Sequence, residues 1–256
     1  MLRKFLILSV LVFFTGCNRY YYTSTLSPAA LMDRQDQPQA EIRSLQGWVK
    51  VQLQSSAGNY ILAQKIYYSA PNRLRLEIAG ILGISVVMVV IDQDDFQLFI
   101  PVRNILVKGK TNELGPAFTI NDLLQGFIYG ARLDLEQGQD ISITENSKAY
   151  KITWLAAGQQ NLAWINKATK VITRHEVRSL RTKEAIRIVE RAGIIKVGDN
   201  YYPGLVSVYD RDLRQKVTFK FSGLSFNQAI DQDLFKLKLP VAYEEKKLSD
   251  FLQGLQ

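Results

Sequence analysis

Long stretches of this chain alternate apolar and polar residues with period two. Val49, Val51 and Leu53 share one face of Trp48–Gln54, and Leu74, Leu76 and Ile78 share one face of Arg73–Ile78. Tyr150, Ile152 and Trp154 do so in Tyr150–Trp154, and Val217, Phe219 and Phe221 in Lys216–Phe221. Strict alternation is the mark of half-buried strands, and it fits an antiparallel sheet with one wet face. Turn-forming residues recur between these runs, at Ala57–Asn59, Pro71–Asn72, Asp92–Asp95, Asn146–Ser147, Ala157–Gly158, Asn166–Lys167, Gly198–Asn200 and Arg211–Asp212. The spacing predicts a meander of hairpins. Two segments carry helical spacing instead. Ile120, Leu123, Leu124, Phe127 and Ile128 follow the capping run Thr119–Asp122, and Leu248, Phe251, Leu252 and Leu255 mark a short amphipathic helix. Glu244–Glu245 before Lys246–Lys247 fits the start of that second helix.

Two segments break the pattern. Ile84–Ile91 is apolar on both faces. Either a covering element buries its outer face, or that face meets lipid or a partner. Just before it, Gly80-Ile81-Leu82-Gly83 places two large aliphatic residues at a turn. They are either folded back into the core or exposed at a cost.

The N-terminus reads as an address. Arg3 and Lys4 precede an apolar run from Phe5 to Phe14, then Thr15-Gly16 and the chain's single cysteine, Cys17. This is the layout of a secretory signal. The apolar run is about ten residues, against roughly 20 for a membrane-crossing helix. Phe14-Thr15-Gly16-Cys17 resembles the lipobox of bacterial lipoproteins. The resemblance implies cleavage after residue 16, a diacylglyceryl group on the Cys17 thiol and acylation of the new amine. Residues 17–40 read as a polar tether and 41–256 as the folded domain. Within the tether, Tyr20-Tyr21-Tyr22 either lies at headgroup level or packs on the domain as an N-terminal strand.

Composition narrows the function classes. Loss of residues 1–16 leaves no second cysteine, so disulfides and thiolate metal sites are excluded. It also removes Arg3 and Lys4, lowering the formal net charge from +8 to +6. A modest, dispersed positive charge suits anionic headgroups and lacks the basic tract of a nucleic-acid binder. Hydrophobic residues make up 47% of the chain, enough for a sizeable core. No catalytic motif is present. The lone histidine, His175, falls on a strand facing away from Arg174 and Glu176, as a satisfied or surface residue. Asp92, Asp94 and Asp95 lack the glycine and distal glutamate of a calcium loop and read as a solvated turn. The chain is read as a non-enzyme without metal or cofactor.

Together the matches Ser44–Val49, Pro71–Leu76, Trp164–Asn166 with Arg174, and Leu234–Pro240 resemble the LolA/LolB-type lipoprotein-localisation fold, and more closely the LolB-like outer-membrane lipoproteins. In this resemblance 234–240 is the closing strand. It implies a mainly β fold: a half-open antiparallel β-barrel around an apolar cavity, covered by helices. It implies a cavity that receives lipoprotein acyl chains, which the protein helps insert in the outer membrane, taking them from a periplasmic lipoprotein carrier. Candidate lining residues are Val51, Leu53, Leu74, Leu76, Ile152, Trp154, Phe219 and Phe221, which would otherwise be plain core. By position, membrane contact falls to Leu82 with Ile81. Asn18 is not the aspartate associated with inner-membrane retention, so the expected location is the outer membrane, lipid-anchored and facing the periplasm. The alternative is an RseB-like regulatory or structural envelope lipoprotein that binds a protein partner, although such chains carry an additional smaller domain.

Overall fold

The structure, a computed structural model, describes residues 21–27, 30, 42–56, 58–80, 84–114, 133, 135, 138–198, 200–211 and 214–253. The period-two runs form strands, and the turn residues lie between them. A first meander comprises β2 (Ser44–Ser55), β3 (Gly58–Ser69), β4 (Arg73–Ala79), β5 (Ser85–Asp92), β6 (Asp95–Ile100) and β7 (Ile105–Lys110). A second comprises β8 (Gln139–Glu145), β9 (Ala149–Ala156), β10 (Gln159–Asn166), β11 (Ile172–Ser179), β12 (Ala185–Val197), β13 (Asn200–Asp210) and β14 (Gln215–Phe226). β14 pairs antiparallel with β2 and fuses the two meanders. Two short strands finish the edges: β1 (Tyr22–Thr23) on β8, and β15 (Glu244–Lys247) parallel to β7. The result is a single sheet of 15 strands, ordered β1-β8-β9-β10-β11-β12-β13-β14-β2-β3-β4-β5-β6-β7-β15. Its edge strands do not pair with each other, so the sheet is open.

Local chemistry explains the hairpins. The Asn146 side chain accepts from the backbone N–H groups of Lys148 and Ala149, and Asn166 accepts from those of Ala168 and Thr169. Asparagine closes such turns with its own carbonyl oxygen. Tyr22 pairs with Glu145, which places the end of the tyrosine triplet on the domain as a strand.

The outer face of Ile84–Ile91 is covered at its Val90 end only, while Val86 and Met88 are half-buried and Ile84 is exposed. Val90 is buried there against Ile230 and Phe235. The cover is not a helix. It is the segment after β14, which makes a 3₁₀ turn at Gln232–Phe235 and then runs irregularly. Asp231 caps the turn by accepting from the Asp233 N–H, and Arg75 Nη1 donates to the Leu234 carbonyl at 2.7 Å. The segment 234–240 is therefore not the expected closing strand. Its apolar residues reach sideways onto the sheet instead of along a ladder.

Glu244–Lys247 also differs from expectation. It forms β15 and not a helix start, because the Glu244 N–H donates to the Asn104 carbonyl at 2.8 Å and Glu245 pairs with Lys108 at 2.7 Å. Helix α1 (Leu248–Gln253) follows, burying Leu248 against the β7 edge as its apolar stripe predicts. Gly109 leaves room for it: a Cβ there would lie 2.5 Å from Leu248 Cβ. Among the described residues no helix is long and apolar enough to cross a membrane. The expected helix over 119–130 lies outside the described residues, as do Cys17, Ile81 and Leu82.

Candidate functional site

Residues paired across an antiparallel ladder point to the same face. The register therefore traces each row of side chains across the sheet. One row runs Ile152, Ala163, His175, Val189, Val208, Val217, Leu53, Tyr60. A neighbouring row runs Arg191, Val206, Phe219, Val51, Leu62. On the same face, Ile66 pairs with Leu76, and Tyr68 with Leu74. Trp154 and Phe221 lie two residues from Ile152 and Phe219. All eight candidate residues thus share one face, which we call the inner face.

Packing separates them into two groups. Ile152 is fully buried and Trp154 nearly so, inside a cluster with Leu133, Leu135, Ile143, Tyr150 and Ile165. Leu74 and Phe221 are buried in a second cluster, built around Leu45, Ile91 and Val206. Val51, Leu53, Leu76 and Phe219 are only half-buried. Tyr60 and Leu62 continue their rows to the β2–β3 turn and are exposed. The inner face therefore passes from packed core, through a half-covered strip over β14, β2, β3 and β4, to an open end. The sequence does not distinguish these groups, because Leu133 and Leu135 arrive from far along the chain. Tyr60, Ile61 and Leu62 were missed as candidates. Their signal is three large apolar residues in a row directly after a turn.

Polar groups on this face include His175, Asn161, Arg187 and Arg191, and the Nε and Nη1 atoms of Arg191 are buried. His175 stacks on Trp154, and its Nε2 lies 3.3 Å from Asn161 Oδ1. Burial, reinforced by the positive charges of Arg191 and Arg187, pushes the imidazole down to about 4. Burial likewise lowers the Arg191 guanidinium to about 10. At neutral pH His175 is uncharged and serves packing.

The outer face of the second meander is polar and ion-paired. Lys151 and Arg174 lie over the Trp164 ring, 5.6 and 5.7 Å from its centroid. Arg174 also reaches Glu176 and Glu190, both at 2.5 Å. Of the acidic turn, Asp92 pairs with Arg73 at 2.9 Å and Asp95 with Lys110 at 2.7 Å. Among the described residues no three potential ligands gather to hold a metal ion. A hollow of about 420 Å³ lies at the Pro71 and Gln93 turns, and one of about 350 Å³ lies between Val90 and Phe235 on the outer side. Neither opens on the inner strip.

The fold is similar to that of several solved structures, a LolA-superfamily protein among them. A Vibrio parahaemolyticus domain assigned to outer membrane lipoprotein sorting superposes with a TM-score of 0.53 at 11% identity, over 80% of this chain and 94% of that one. A LolA-superfamily protein from Nitrosomonas europaea gives 0.51 at 10% identity, over 82% and 97%. A DUF1329-family protein from Desulfovibrio piger gives 0.54 at 10% identity, over 80% and 94%. The likeness is one of fold, and at that level it agrees with the LolA/LolB-type resemblance of the sequence. No protein-family model matches the chain, and no curated protein matches it significantly.

Proposed function

We propose that this chain is an outer-membrane lipoprotein that binds the acyl chains of other lipoproteins on its inner face and helps insert them in the membrane. The observation that carries the reading is the half-buried strip of Val51, Leu53, Leu76 and Phe219, continuous with exposed Leu62 and Tyr60. A LolA-type fold and the lipobox-like Phe14–Cys17 support it. Each buried methylene contributes about 0.8 kcal/mol, so a sixteen-carbon chain costs on the order of 10 kcal/mol to expose to water. A carrier therefore has to offer apolar surface that is not already filled. In this reading residues 1–16 are removed, Cys17 carries the lipid and the chain faces the periplasm. A periplasmic lipoprotein carrier supplies the cargo, and Ile81 with Leu82 meets the bilayer.

The test is uptake of a fluorescent fatty-acyl probe by the chain starting at Asn18, which keeps every described residue. Saturable uptake, displaced by an acylated lipoprotein, is expected. Absence of uptake overturns the reading. Absence of uptake with stoichiometric capture of one envelope protein replaces it with the RseB-like alternative.

A further inference from the structure

The turns of an antiparallel meander alternate between the two ends of its strands. The β2–β3, β4–β5 and β6–β7 connections therefore lie at one end of the sheet. Exposed apolar side chains collect there. Tyr60 (52% exposed), Ile61 (53%) and Leu62 (46%) follow the β2–β3 turn, Ile84 (65%) immediately precedes β5, and Val102 (75%) tips the β6–β7 turn. Isolated exposed apolar residues are ordinary, but five on three neighbouring hairpins of one end form a patch with a meaning.

Charge says what covers it. Arg103 stands beside Val102 and is exposed. Lys216 pairs with Gln54, so the β13–β14 turn is at the same end, and by alternation so is the β11–β12 turn. These turns bring exposed Arg181, Lys183, Arg211 and Arg214. The described acids at this end are Glu184, which pairs with Arg211, Asp210, which pairs with Arg187, and exposed Glu244, whose N–H bonds the β6–β7 turn at Asn104, so the exposed cations still outnumber them. The opposite end of the first meander carries Asp92, Asp94 and Asp95 in its β5–β6 turn, with Asp92 and Asp95 neutralised by Arg73 and Lys110. Apolar tips flanked by cationic side chains match an anionic bilayer, whose surface attracts Lys and Arg while its interfacial layer accepts aliphatic and tyrosine side chains.

We propose that this hairpin end is a membrane seat: Tyr60, Ile61, Leu62, Ile84 and Val102 enter the interfacial layer of an anionic bilayer, and Arg103 with the β11–β12 and β13–β14 cations meets its phosphates. The seat deepens the proposed function by naming where the inner strip opens, and its purpose in delivery rests on that reading. Its existence does not.

The chain from Asn18, free of any lipid on Cys17, is mixed with vesicles of phosphatidylcholine with and without phosphatidylglycerol, and bound protein is sedimented. Binding to the anionic vesicles that weakens with added salt is expected. The double variant Ile61→Asp, Val102→Asp alters two exposed tips and lowers binding at least tenfold. Arg103→Glu also lowers it, and Tyr22→Asp at the other end of its strand ladder leaves it unchanged. No binding to anionic vesicles, or undiminished binding by the folded double variant, overturns the seat. Probe uptake is measured on the same proteins. Lost uptake in the parent chain with retained vesicle binding refutes the carrier reading and leaves the seat standing.

Discussion

Trp154 and His175 lie face to face, their ring centroids 5.5 Å apart and their planes 9° from parallel. The stack sits on the inner face, where burial and then Arg191 and Arg187 hold the imidazole neutral down to about pH 4, against the weaker pull of Glu176. In the unfolded chain the same group protonates near 6.5. Between those values the unfolded state binds the extra proton, so this contribution to stability is complete above pH 6.5 and is lost as pH falls toward 4. At about 1.4 kcal/mol per unit it amounts to at most about 3 kcal/mol. Denaturant midpoints at pH 7 and pH 4.5 should differ less in His175→Gln than in the parent. An equal difference would show that His175 does not titrate in this way.

The two groups of inner-face residues should respond differently to substitution. Leu53→Glu puts a charge on the half-covered strip and should reduce acyl-probe uptake at least tenfold. Gln54→Glu, one residue along on the opposite face, should not. Ile152→Ala removes a fully buried side chain and should cost about 2–5 kcal/mol of stability. Its probe affinity, read well below the melting temperature, should stay near that of the parent.

Glu176 is nearly fully buried on the outer face and accepts from Arg174 Nε at 2.6 Å and Arg178 Nε at 2.7 Å. Burial alone would raise its carboxyl, but the two guanidinium bonds outweigh it and hold the carboxyl low. Glu176→Gln keeps the shape and loses the charge. Because both arginines are partly exposed, the expected cost is about 1–2 kcal/mol in thermal or denaturant unfolding. Glu190→Gln, at the exposed end of the same network, should cost less than half of that.

Gly109→Ala tests how α1 is held. The added methyl would overlap Leu248 Cβ and approach Glu113 Oε1 to 2.8 Å. A loss of about 1–3 kcal/mol is expected, as for other overpacked sites. Hydrogen exchange should rise in β15 and α1 before it rises in β2. Uniform loss across the sheet would mean that α1 does not depend on this contact.

The period-two runs around Val51, Leu76, Ile152 and Phe219 made the strands legible, because each strand has one wet face and one dry one. Asparagine and glycine marked most of the turns. The cover over Val90 was not legible. Ile230, Leu234 and Phe235 follow neither period, since an irregular segment lies flat and takes its geometry from what it covers. β15 was hidden for a related reason: Glu-Glu-Lys-Lys pairs in parallel with a strand more than a hundred residues away, and only the partner makes it a strand. The hairpin end was hidden because exposure is a tertiary property. Tyr60, Ile61 and Leu62 look like core until their neighbours are known to stop short of them.

The smallest strand in the sheet sets a length. With Tyr22–Thr23 laid on β8, only four residues separate Cys17 from the sheet, and the five steps from Cys17 to Tyr22 span at most ~18 Å. The lay is held by more than its two ladder pairs, since the Ser24 N–H donates to the Ile143 carbonyl at 3.0 Å and Leu26 packs on the cluster around Ile152. A lipid on Cys17, as proposed, would therefore keep the β8 edge of the domain within about two nanometres of its own bilayer.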